Sequence, residues 1–122
     1  MSIRPLLVLS AVIMSVTLAG CVPNTPSAET RLTVAITDTT CAVSADSAPA
    51  GNITFDLKND GSDVNEFYVL ADDQERVVGE KEDVVPGTTT YTISLEPGTY
   101  YTACKFQMVG SPVGMAEFTV TG

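Results

Sequence analysis

The chain alternates in steps of two. Leu32, Val34 and Ile36 fall on one face of a run whose other face carries Arg31, Thr33, Ala35 and Thr37. Such alternation marks a half-buried strand. Asp38-Thr39-Thr40 breaks it, and Cys41, Val43 and Ala45 resume it in a shorter piece. Ile53, Phe55 and Leu57 alternate with Thr54, Asp56 and Lys58. Phe67, Val69 and Ala71 alternate with Glu66, Tyr68 and Leu70. Val77 and Val78 make a short apolar piece, and the charged run Glu80 to Asp83 reads as a helical turn or a loop. Residues 88–95 are rich in Thr, Tyr and Ile, as strands are. Tyr100 to Cys104 and Met115 to Val120 close the series. Turn residues separate these runs: Ala48-Pro49-Ala50-Gly51, Asn59-Asp60-Gly61-Ser62, Asp72-Asp73-Gln74, Pro86-Gly87 and Glu96-Pro97-Gly98-Thr99. No stretch carries the periodicity of an amphipathic helix. The pattern predicts an all-β fold, a Greek-key β-sandwich of about seven to eight strands.

The first twenty residues break this pattern. Arg4 is followed by an uncharged apolar run, Pro5 to Ala19. A charged start and a short apolar core make a secretory leader. The run is too short to span a bilayer well, since a spanning helix takes about 20 apolar residues. Leu18-Ala19-Gly20-Cys21 resembles a lipobox, the processing site of bacterial lipoproteins. That resemblance implies cleavage before Cys21 and a lipid on its sulfur, so the mature protein is anchored to membrane lipid and does not span the membrane. Residues 21–30 hold two prolines and no periodicity, and read as a flexible tether. The expected organisation is therefore a leader over 1–20, a tether over 21–30 and one domain over 31–122. The domain is expected outside the cytoplasm, on the surface of a bacterial membrane.

Charge narrows the partners. The chain has 15 acidic and 6 basic residues. Arg4 leaves with the leader, so 5 basic face 15 acidic residues in the mature part, a formal charge of −10. Such a surface repels nucleic acid. It favours solubility and draws cations toward it.

Cysteine usage opens a choice. With Cys21 committed to lipid, Cys41 and Cys104 remain. Two cysteines in an exported domain most simply form a disulfide. A bond closing the loop from 41 to 104 is worth about 4 kcal/mol in the chain-entropy account. The alternative use is as two thiolate ligands.

The strand ending in Asn59-Asp60-Gly61, Pro86-Gly87 before a Thr/Tyr-rich strand, the run Leu95-Glu96-Pro97-Gly98-Thr99-Tyr100 and Cys104 at the end of its strand together resemble a cupredoxin. The strand Val34 to Cys41, Glu66 and the acidic Glu80 to Asp83 before Val85-Pro86-Gly87 are similar, more narrowly, to the cupredoxin-like domain of EfeO-type bacterial iron-uptake lipoproteins. That family's C-terminal helical domain has no counterpart in this sequence. The resemblance covers residues 31–122 and implies a cupredoxin-like sandwich. It places ligands at Glu66, Cys104 and Cys41, with Met108 as a further thioether. Iron or copper is the implied ion, and a metal-uptake permease or another envelope protein the implied partner. A blue-copper centre needs two imidazoles beside its thiolate, and the chain has no histidine. Electron transfer through such a centre is therefore ruled out.

Catalysis finds no support. There is no imidazole base, no glycine-rich phosphate loop, and only Lys105 beside Cys104 as an activator. Strand neighbours point to opposite faces, which makes that pairing poor. Two expectations stand. One is an anchored, extracytoplasmic metal-binding domain that assists uptake. The other is a metal-free sandwich stapled by Cys41 and Cys104, acting as a structural or protein-interaction module.

Overall fold

The structure, a computed structural model, describes residues 29–122. The leader, Cys21 and residues 22–28 of the expected tether lie outside them. Nine strands follow in order: β1 (Thr30–Ile36), β2 (Cys41–Val43), β3 (Ser47–Pro49), β4 (Gly51–Asn59), β5 (Asn65–Leu70), β6 (Val77–Val84), β7 (Gly87–Leu95), β8 (Gly98–Phe106) and β9 (Val113–Thr121). They form a four-stranded sheet, β2-β1-β4-β7, and a five-stranded sheet, β3-β9-β8-β5-β6. The all-β sandwich expected from the alternation is present. Most neighbours run antiparallel, but β1 pairs parallel with β4 and β3 parallel with β9.

Two segments depart from the sequence reading. Glu80 to Asp83 is neither a loop nor a helical turn but part of β6, paired with β5. At the sheet margin its charged side chains need no burial, so the run lacks the apolar alternation of an inner strand. Ala48-Pro49, read as a turn, belongs to the short margin strand β3. Proline is tolerated there because a margin strand leaves half its N–H groups without a ladder partner.

The core lies between the sheets. Val34 and Ile36 of β1 and Ile53, Phe55 and Leu57 of β4 meet Phe67 and Val69 of β5, Cys104 of β8, and Phe118 and Val120 of β9. These are the in-facing positions of each alternating run. Phe55 anchors the contact: its ring centroid lies 5.1 Å from that of Phe67 and 6.0 Å from that of Phe118. Each such buried side chain contributes about 1.5–3 kcal/mol through removal of apolar surface from water.

Register brings several strand ends to one pole. Ile36 pairs with Asn59 and Cys41, and Asn59 with Gly87. In the other sheet Asn65 pairs with Phe106 and Val84, and Cys104 with Val113. Buried Asn59 ties the sheets together there: its Nδ2 donates to the carbonyls of Asp63 (2.8 Å) and Val84 (2.9 Å), and its Oδ1 accepts from Gly61 N (3.0 Å).

Candidate functional site

All the predicted ligand positions belong to strands or loops at this pole. Cys41 opens β2 in one sheet, and Cys104 lies in β8 of the other. Both are buried, and a disulfide joins them with 5.9 Å between Cα atoms. The bond is a covalent staple between the two sheets. Gly114 makes room beside it. Its φ is +65°, and a Cβ there would lie 2.6 Å from the Cys41 carbonyl oxygen.

Glu66 does not join the cysteines. It pairs with Lys105, and the next residue, Phe67, pairs with Cys104. Phe67 and Cys104 face the core, so Glu66 points out of the opposite side of the sheet. It is nonetheless only 6% exposed. The hydroxyl of buried Tyr68 donates to its Oε2. Burial, and then the Glu66 carboxylate, push the Tyr68 phenol far above its ordinary range. Lys105 Nζ sits 5.2 Å from the centre of the Tyr68 ring, a cation–π contact that covers this small outer cluster. Met108 is half-buried in the turn after β8, in a left-handed conformation (φ 57°). The expected set of Cys41, Glu66, Cys104 and Met108 is therefore corrected in one respect: the sheet itself stands between Glu66 and the sulfur atoms.

The residue that shares the Cys104 face is Asn65. It lies two positions before Phe67 on β5 and is fully buried (0% exposed). Neither atom of its carboxamide has a hydrogen-bond partner among the described residues. Sequence reasoning passed over it, although the alternation of Phe67 and Val69 already set its face.

The loops at this pole are fastened by Asp38. Its Oδ1 accepts from Ser62 N (2.8 Å) and its Oδ2 from Ser62 Oγ (3.0 Å). Gly61 is required beside it, since a Cβ there would meet Asp38 Oδ1 at 2.3 Å. The Ser62 donors hold the Asp38 carboxyl below its ordinary value of 3.8. A depressed folded-state value stabilises the fold above that pH and ceases to do so as pH falls through it. Asp38→Asn should therefore flatten the acid limb of a stability–pH profile, measured by denaturant unfolding from about pH 5 to 2. An unaltered acid limb would show that the Ser62 contacts do not form in solution.

Copper, one of the two ions implied by the resemblance, needs donors this pole does not offer. Both cysteine sulfurs are in a bond to each other. There is no imidazole. A carboxamide and a thioether are what remain, a weak set for copper without thiolate or imidazole. Among the described residues no three His, Cys, Asp or Glu side chains are grouped to hold a metal ion. The residues present do not fit the ion.

Comparison with known proteins agrees with this architecture. A family model described as a cupredoxin-like domain matches residues 10–115. Among solved structures, dithionite-reduced auracyanin from the photosynthetic bacterium Roseiflexus castenholzii is similar, with a TM-score of 0.52 at 15% sequence identity. The match covers 79% of this chain and 98% of auracyanin. At that identity the likeness concerns the fold. No curated protein matches the chain.

Proposed function

The chain belongs to the family of cupredoxin-like domains, and on that premise we propose that it is a metal-free, disulfide-stapled binding module of the bacterial envelope, held to a membrane by lipid on Cys21. One observation carries the reading. Cys104, at the position where the resemblance sets the soft ligand, is bonded to Cys41 across the sandwich. A sulfur in a disulfide is not a thiolate, and the thiolate is the form that binds metal. A disulfide persists in oxidising compartments, which supports a place outside the cytoplasm. The iron-uptake role suggested by the EfeO-type resemblance needs Glu66 beside the cysteines, and the strand register sets them on opposite faces. On this reading the module works by binding a partner.

A metal titration tests the reading. The full chain, isolated without reductant, is titrated with Cu(I), Cu(II), Fe(II) and Fe(III) and followed by bound-metal analysis after gel filtration. No stoichiometric uptake is expected. One equivalent of tightly held metal, lost in Cys104→Ser, would overturn it.

A further inference from the structure

A sandwich of two open sheets has four margins, and each exposes N–H and C=O groups able to pair with another strand. Here the margins are β2 and β7 in one sheet and β3 and β6 in the other. Three are blunted. β2 and β3 are three residues long. β6 carries Glu80, Lys81, Glu82 and Asp83 in succession, has a left-handed residue at Asp83 (φ 54°), and pairs with β5 through two register irregularities. Charges and bulges of this kind are the usual defence of a strand against unwanted pairing.

β7 has no such charges or register irregularities, and its one left-handed residue, Gly87 (φ 112°), only opens the strand. It is nine residues long, Gly-Thr-Thr-Thr-Tyr-Thr-Ile-Ser-Leu, with no charged residue and no proline. Its register with β4 runs without interruption from Gly87↔Asn59 to Leu95↔Gly51. Thr88, Thr90, Thr92 and Ser94 are exposed. Five of its nine residues are β-branched, the composition that favours strand pairing. A long, regularly paired, uncharged margin stands out on a chain with 15 acidic and 6 basic residues.

We propose that β7 is a strand-addition surface and that its occupant is β7 of a second copy of this chain. The inference rests on reading the domain as a binding module and names its partner. A second copy brings the same long, uncharged strand, and charge does not bar it at this margin. Two molecules of formal charge −10, once the leader has left, repel over most of their surfaces, but two β7 strands bring no ionised side chains together. The nearby Asp56 on β4 is already paired with Arg31 at 2.7 Å. Antiparallel pairing about a two-fold axis joins the four-stranded sheets into one of eight. Full overlap of the nine residues sets Tyr91 near the axis and Thr88 opposite the partner's Ser94. Among the described residues each copy has one unblunted margin, so the contact closes at a dimer and does not propagate into a fibre.

Charge exchange tests this in the full chain. Copies carrying two different affinity tags are co-expressed, and one tag is used to recover the other. Wild-type copies should co-purify, and more completely as salt rises, because screening weakens the net repulsion. The double variant Thr88→Glu/Ser94→Glu should lose recovery of its own copies by about tenfold, since like charges then face one another across the pair. Mixing it with Thr88→Lys/Ser94→Lys should restore recovery, which a misfolded variant could not do. No co-purification of wild-type copies, equal recovery of the all-Glu copies, or no rescue in the mixture would each overturn the dimer. So would β7-dependent capture of a different protein by a monomeric chain. The metal titration stays separate: a metal-free monomer would sink this inference alone, and a metal-binding dimer would sink only the metal-free reading.

Discussion

Removing the Cys41–Cys104 bond should lower the stability of the domain by about 4 kcal/mol. The double variant Cys41→Ala/Cys104→Ala is the cleaner way to do it, because alanine leaves no buried polar atom behind. The bond closes a sequence separation of 63 residues and ties β2 of one sheet to β8 of the other. Most of the effect belongs to the unfolded chain, which gains freedom when the loop opens. The folded state also loses the sulfurs' packing among fully buried neighbours such as Ile36 and Phe67. Denaturant unfolding with and without reductant measures the effect. Reductant should move the wild-type midpoint down and leave the variant's in place. Equal midpoints for the wild type with and without reductant would mean that the bond carries no stability.

Asn65→Leu should move stability the other way, raising it by about 1–3 kcal/mol. A buried donor and acceptor without partners keep the cost of leaving water and gain no bond in return. Leucine has the same number of side-chain heavy atoms as asparagine and carries no polar atom, so that cost disappears, and its bulkier methyl groups offset only part of the gain. The measurement is the denaturation midpoint with the disulfide intact. A loss of stability of similar size would mean that the carboxamide has a partner in solution, and a buried water or a metal ion beside Cys104 would then have to be sought.

Cys41, Cys104 and Asn65 also show what could be read from the sequence. The sandwich was legible because β1, β4 and β5 alternate cleanly, and Asn59-Asp60-Gly61 and Pro97-Gly98 mark the ends of strands. A disulfide between Cys41 and Cys104 was legible as one of two uses for an exported pair. Asn65, and not its neighbour Glu66, lies on the face of Cys104. A polar residue opening β5 was sought as a ligand, and the carboxylate at Glu66 drew that role in preference to its amide neighbour. A strand reverses face at every residue, so an error of one position moves a side chain through the sheet. Phe67 and Val69 fixed the inward face, and counting back from them reaches Asn65. β6 was hidden for a different reason. Its Glu80–Asp83 run answers to solvent at a sheet margin, where apolar alternation is not required. The parallel pairing of β3 with β9 joins residues far apart in sequence, and its three-residue strand leaves no local signal.

The state of two sulfur atoms decides the account. The full chain is isolated without reductant, unfolded in denaturant with an alkylating agent present, and digested for mass analysis. Unmodified peptides linked through Cys41 and Cys104 are predicted, with alkylation of both appearing only after reduction. Alkylation of Cys41 and Cys104 before any reductant is added would contradict the account, because the pole would then hold two free thiols on the face it shares with Asn65.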